Sequence, residues 1–260
     1  SGNYIHFGVR EHAMCGIANG LETYGFTPIV GTFLVFSSYC YPSIRLAALS
    51  NHKVIYIFTH DSLALGEDGP THQPIETLTN LRALPNLNTF RPADRNELLI
   101  SYQKALQSSG PSCICLSRQD LPNLDNYTSI DNAVKGGYIV YQSDSQQEVD
   151  LILIATGSEL HLCLDVALEL SINIRVVSMV CSEIYDLQNN EYKNYILPNN
   201  ITKISVEAGA TIGWYKYVNI AYGIDSYGAS GKGDKVMEYY GFSKKKLGDF
   251  IMKYKFYKPN

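Results

Sequence analysis

The chain is poor in charge. Asp, Glu, Lys and Arg make up only 18% of its 260 residues. With 21 basic against 25 acidic residues the formal net charge is -4. A protein that grips a nucleic-acid backbone needs a basic excess, so no nucleic-acid partner is expected. The one dense basic run, Lys244-Lys245-Lys246, reads as a solvated helix face. No apolar run is long enough for a membrane span. There is no Cys-x-x-Cys pair among the six cysteines Cys15, Cys40, Cys113, Cys115, Cys163 and Cys181. They are expected to be buried reduced thiols in a cytoplasmic protein. No internal repeat or low-complexity segment interrupts the chain. A Walker loop is missing too. The run Gly228-Ala229-Ser230-Gly231-Lys232-Gly233 has Ser226 where such a loop needs Gly, and no Ser or Thr follows Lys232. It reads as a glycine-rich turn.

What is present is apolar residue in alternating blocks. Hydrophobic residues reach 45%, enough for one large or two ordinary α/β domains. Residues 8–24 read as a helix stopped at Gly25, and Pro28 to Phe33 as a strand. A helix runs through Arg45 to Leu49, with Pro42 near its first turn. Val54 to Phe58 is a continuous apolar run, as in a strand buried on both faces of a parallel sheet. A helix is expected from about Pro74 to Leu84 and a short strand near Thr89-Phe90. Asp94 and Glu97 resemble a capping box that opens a helix to about Gln107. A strand at 112–117 places Cys113 and Cys115 on one face.

Residues 120–134 are polar and lack periodicity, so the domain boundary is placed there: 1–121, a linker at 122–134, and 135–260. In the second half, strands are expected at 151–154, 174–179 and 204–207. Ser158 is expected to cap a helix, and two helices, at 234–240 and 243–256, to close the chain. Strands alternating with helices imply two α/β domains, each a mostly parallel sheet with helices on both faces.

Ligands in such folds bind outside the carboxyl ends of the strands. Those ends offer Phe33 and Phe36, His60-Asp61, the loop Gly66-Glu67-Asp68-Gly69-Pro70-Thr71-His72-Gln73-Pro74-Ile75-Glu76, and Arg118. An aromatic wall suits a flat heteroaromatic cofactor, and a guanidinium fork suits a phosphate. Blander readings stand beside this one. Glu11 can pair with Arg10, His60 can cap a strand, and Asp68 can hold a turn. His60 and His72 with Asp61 and Asp68 can also be read as metal ligands, but their spacing fits no compact zinc motif.

Several separated motifs resemble transketolase. They are Gly2-Asn3-Tyr4-Ile5 running into Val9-Arg10-Glu11-His12, Gly31-Thr32-Phe33-Leu34 with Phe36 and Tyr39, and Thr59-His60-Asp61-Ser62. The loop 66–76, Phe90-Arg91-Pro92-Ala93-Asp94, Leu116-Ser117-Arg118-Gln119, Ala155-Thr156-Gly157-Ser158-Glu159 and Gly223-Ile224-Asp225 through Gly231 continue the match. Deoxyxylulose-phosphate synthase and the β subunits of 2-oxo acid dehydrogenases are less similar at these points. The resemblance implies the pyrimidine-binding and C-terminal domains of a three-domain homodimer. It also implies ketol transfer between sugar phosphates such as xylulose 5-phosphate, ribose 5-phosphate and erythrose 4-phosphate in the pentose phosphate pathway. The cofactor it implies is thiamine diphosphate. Its diphosphate and Mg²⁺ would lie on an N-terminal domain whose Gly-Asp-Gly motif is not in this sequence.

By the resemblance, Glu11 matches the glutamate that hydrogen-bonds the cofactor's aminopyrimidine and, with His72, is a catalytic candidate. Phe33, Phe36 and Tyr39 match residues around the pyrimidine ring. His60, Asp68 and His72 match groups that contact substrate hydroxyls, and Arg118 matches a residue that binds the sugar phosphate. The segment 25–28 and Val180-Cys181-Ser182-Glu183-Ile184 depart from the family pattern, away from these positions. A chain opening on Ser1, inside an apparent motif, is expected to be a piece of a longer protein that is inactive alone. A silent module of the same fold, a natural split subunit, and dihydroxyacetone synthase are the alternatives.

Overall fold

The computed structural model describes residues 3–254. The first half holds α1 (Glu11–Thr23), β1 (Ile29–Phe33), α2 (Ser37–Ser50), β2 (Ile55–Thr59), α3 (Thr77–Arg82), β3 (Asn88–Phe90), α4 (Arg95–Gln107) and β4 (Ser112–Cys115). Its four strands form a wholly parallel sheet in the order β1-β2-β4-β3. A short helix, α5 (Ile130–Ala133), follows. The second half holds β5 (Tyr138–Gln142), β6 (Leu151–Ala155), α6 (Glu159–Glu169), β7 (Ile174–Ser178), α7 (Ser182–Asp186), α8 (Asn190–Ile196), β8 (Thr202–Val206), β9 (Ile220–Tyr222), α9 (Gly233–Tyr239) and α10 (Lys244–Tyr254). This sheet runs β5-β7-β6-β8-β9, with β5 antiparallel to β7 and the other pairs parallel.

Side chains alternate across β2 as the pleat requires. Tyr56 and Phe58 join Cys113 and Cys115 in a core under α1 and α2, so the two thiols do share a face. Ile55 turns the other way, into a core continuous with Leu151, Leu153, Ile204 and Val206 of the second sheet. Ile152, Ile154 and Val177 bury the far face of that sheet with Trp214. The two sheets therefore share one apolar interior. All six cysteines are unpaired and buried. Among the described residues no helix is long and apolar enough to cross a membrane.

Several local expectations need correction. Pro42 lies inside α2 rather than near its first turn, because a 3-10 turn at Leu34–Phe36 leads into the helix and starts it early. Ser158 does not cap α6. Its backbone is already helical, and its hydroxyl donates to Glu159 Oε1. Asp94 caps α4 by accepting from the Glu97 N–H at 3.0 Å, but Glu97 reaches back to the Ala93 N–H instead of to Asp94. The expected linker contains α5, and Thr128 ties it to Asp94. The elements β5, α7, α8 and β9 went unread in the sequence. They are short or half-exposed, and their apolar residues fit no single period. The last helix is described to Tyr254, so the expected end at 256 lies outside the described residues, as does Gly2 of the first motif.

Candidate active site

The carboxyl ends of the parallel strands carry the candidate groups, as a doubly wound sheet demands. β1 ends on Phe33, and the following turn supplies Phe36 and, at the start of α2, Tyr39. Their rings form a shelf. Phe33 and Phe36 are 5.8 Å apart and tilted by only 7°, and Tyr39 continues the row at 5.8 Å and 24°. β2 leads to His60, whose ring stacks on Phe33 at 3.7 Å. His60 adopts φ 61°, a left-handed conformation that is uncommon outside glycine and is found at functional positions. His72, from the loop after β2, meets Phe36 edge-on at 5.3 Å. Thus Phe33, Phe36, Tyr39, His60 and His72 are brought together.

Each imidazole is oriented through one nitrogen. His60 Nδ1 lies 2.9 Å from Thr59 Oγ1, and His72 Nδ1 lies 2.9 Å from Thr71 Oγ1. Neither Nε2 has a hydrogen-bond partner among the described residues, which leaves both for a ligand. Partial burial, followed by the charge of Arg118, pushes His60 below its ordinary value; Asp68 and Asp61 pull weakly the other way. Those couplings place Arg118 and Asp68 around the same imidazole. Both are exposed, and neither has an ion pair among the described residues.

Glu11 opens α1 and is half-buried, with no hydrogen bond to any described residue. The next residue, His12, has Nδ1 3.3 Å from the Tyr39 carbonyl, which fixes the start of α1 beside the shelf. Met14, Cys15 and Ala18 anchor that helix in the core.

Asp61 does not belong with the ligand-facing groups. It is 1% exposed and accepts from Arg91 Nε at 2.8 Å. Among the described residues no group of three or more His, Cys, Asp or Glu gathers as metal ligands would, so the zinc reading of His60, Asp61, Asp68 and His72 has no geometry behind it.

Arg91 opens onto a network that sequence reading missed. It follows β3 and is fully buried. Besides Asp61 it reaches Glu159, and its Nη1 donates to Thr156 Oγ1 at 2.9 Å. Glu207 receives a two-pronged guanidinium from Arg82, at 2.7 and 2.8 Å, and the Trp214 Nε1–H at 3.0 Å. Burial alone would raise Glu207, but Arg82 and Arg91 hold it down to about 2. Burial opposes the charge on Arg91, yet Asp61, Glu159 and Glu207 keep it well above its ordinary value. These residues come from both sheets, so the network is a polar seam between them. One signal was available: Arg91 is a lone charge in the tight run Thr89-Phe90-Arg91-Pro92-Ala93, and a charge in such a run needs a buried partner.

The site geometry can be set beside proteins of known family. A family description, "Transketolase, pyrimidine binding domain", matches residues 1–123, and "Transketolase-like TK C-terminal domain" matches residues 136–243. A probable transketolase of Schizosaccharomyces pombe is 48% identical over 249 residues, covering 94% of this chain and 36% of its own length. A chloroplastic transketolase of Solanum tuberosum is 49% identical, covering 92% of this chain and 34% of its own length. A Pichia stipitis transketolase crystallised with sedoheptulose 7-phosphate superposes with a TM-score of 0.93 at 42% identity, over 97% of this chain and 38% of that one. The chain thus spans little more than a third of the length of these relatives.

Proposed function

Since the chain belongs to the transketolase family, we propose that it forms the pyrimidine-binding and C-terminal portion of an enzyme that moves a two-carbon ketol unit between sugar phosphates. On this reading residues 1–121 and 135–260 are the two domains and 122–134 joins them. The observation that carries the reading is the aromatic shelf Phe33-Phe36-Tyr39, with Glu11, unbonded to any described residue, on the helix start that His12 fixes to the Tyr39 carbonyl.

The residues fit half of thiamine diphosphate. Near-parallel rings offer a stacking face for its pyrimidine, and Glu11 offers a carboxylate free to accept from a protonated ring nitrogen. When bound, the cofactor supplies a nucleophilic carbon and an electron sink. Glu11 holds the proton at the pyrimidine ring. His60 and His72 present Nε2, and Asp68 a carboxylate, to sugar hydroxyls. Arg118 offers a planar fork to the sugar phosphate. Its charge also helps keep His60 neutral, so that the imidazole can accept as well as donate. Diphosphate and Mg²⁺ fall to an N-terminal portion, and a second copy completes the pocket in a homodimer. The buried free thiols suit a reducing compartment such as the cytoplasm.

A silent module of this fold has no need of Glu11, Asp68 and Arg118 standing unpaired around one shelf. Cofactor titration of the full-length protein tests the reading. Phe36→Ala is expected to weaken thiamine diphosphate binding, whereas Arg118→Ala leaves it unchanged. Equal weakening by both, or by neither, sinks the assignment of the shelf.

A further inference from the structure

The glycine-rich turn 228–233 lies against the loop that carries Asp68 and His72. Gln73 joins the two. It is 2% exposed, and its Nε2 donates to the Ala229 carbonyl at 3.0 Å while lying 3.5 Å from the carbonyls of Leu63 and Gly66. One amide thus gathers both ends of the 63–66 turn and ties them to the second half of the chain. Ser230 Oγ adds a bond to the Glu67 carbonyl at 2.5 Å.

The glycines are needed for the approach. A Cβ on Gly228 would stand 1.9 Å from Gln73 Oε1 and 2.6 Å from Leu63 Cδ2. A Cβ on Gly233 would stand 2.3 Å from the Ala64 carbonyl oxygen. On the facing side, Gly66 at φ 95° and Gly69 at φ 74° need the left-handed region, and each would press a Cβ to 3.2 Å from the opposite turn. Two backbones therefore meet with almost no side chain between them. The loop's own amides close over the same contact: Gly69 N–H donates to Gly66 O and His72 N–H to Gly69 O.

We propose that the turn 228–233 of the second unit sets the position of the 63–73 segment, with Gln73 as the positioning residue, and so aligns Asp68 and His72 for the sugar. This inference rests on the reading that those two residues contact sugar hydroxyls. Glu11, Phe33 and Tyr39 sit on other elements, and Phe36 meets the segment only through the edge of His72, so the effect falls on sugar far more than on the cofactor. It gives the second unit a task at the site, although its own sheet carries none of the candidate groups.

The experiment compares Gln73→Met, Gly228→Ala and Asp68→Asn in the full-length protein. Gln73→Met keeps length and neutrality but loses the bond to Ala229. Gly228→Ala forces the amide aside by another route. Both are expected to raise KM for xylulose 5-phosphate about tenfold, with thiamine diphosphate affinity within about twofold of normal, because a misplaced contact costs the ligand it serves. Faster hydrogen exchange at the Gly69 and His72 amides should accompany the change. If Asp68→Asn raises KM while the other two variants match the parent, the inference is wrong and the sugar-contact reading stands. A parent-like KM in Asp68→Asn removes that reading and the inference with it. Cofactor affinity falling in step with KM in Gln73→Met would mean general loosening, and would also overturn the proposal.

Discussion

Arg91 and Arg118 each follow a strand of the first sheet, β3 and β4, and their fates are opposite. Arg91 is completely buried and shared among Asp61, Thr156 and Glu159. Arg118 is exposed and has no ion pair among the described residues. The acids divide the same way. Asp61 is locked to Arg91, while Asp68 and Glu11 carry no bond to a described side chain. Beyond β3, Arg91 is buried among residues that follow strands of both sheets, where a charge must find a partner within the protein. Beyond β4, Arg118 is exposed, where a charge can stay hydrated. Charges that satisfy each other tie the sheets together; charges left unpaired at the surface are, on the proposed reading, those kept for a ligand.

That contrast is most strongly broken in the seam. Arg91→Met strands the carboxylates of Asp61 and Glu159 in the interior, and urea unfolding should register a loss of about 3–5 kcal/mol. A loss no larger than that of a surface substitution would mean that the seam does not couple the sheets. On the shelf the outcome reverses. Glu11→Gln in the full-length protein should lower turnover about a hundredfold or more, the range of a lost proton-transfer group, with the melting temperature unchanged. Near-normal turnover removes Glu11 from the chemistry. Arg118→Ala is a smaller step. KM should rise about tenfold for phosphorylated sugars, the scale of one charge-assisted hydrogen bond, and stay constant for unphosphorylated ones. An equal rise for both would reject the phosphate contact.

A pH dependence is expected outside the seam, at Glu97, which bonds Tyr138 and Ser178 of the second sheet. Burial pushes Glu97 from 4.5 up to about 7, against the hydrogen bonds it accepts from Ser178, the Ala93 N–H and Tyr138. A raised folded value means its contribution is complete below 4.5 and is lost as pH rises through about 7. Glu207 is depressed to about 2, so its contribution is complete above 4.5 and is lost as pH falls toward 2. Stability should therefore decline from pH 5 to pH 8 in the parent, and decline less in Glu97→Gln. Parallel curves would show that Glu97 stays ionised throughout.

The shelf was legible because its residues stand close in sequence. Phe33, Phe36 and Tyr39 lie within one turn and helix start, and His60 and His72 bracket one loop. The parallel strands β2 and β6 announced themselves as continuous apolar runs. The seam was hidden because its partners lie far apart in the chain: Arg91 meets Thr156 and Glu159, and Arg82 meets Glu207. Nothing in local pattern pairs residues at such separations. Gln73 was hidden in plain view. It sat inside the recognised motif, but its partner Ala229 belongs to a glycine turn whose meaning emerges only when the two backbones touch. The antiparallel edge β5 escaped because half-buried Tyr141 and Gln142 blur its alternation.

The most direct test is a ketol-transfer assay with xylulose 5-phosphate and ribose 5-phosphate, in thiamine diphosphate and Mg²⁺. It is run on this chain alone and on this chain joined to the N-terminal domain of a related transketolase. Turnover only in the joined protein is the expected result, since on the proposed reading the shelf is one wall of a site and the diphosphate-holding wall belongs to the N-terminal portion. A joined protein that binds the cofactor and still transfers nothing would contradict the account.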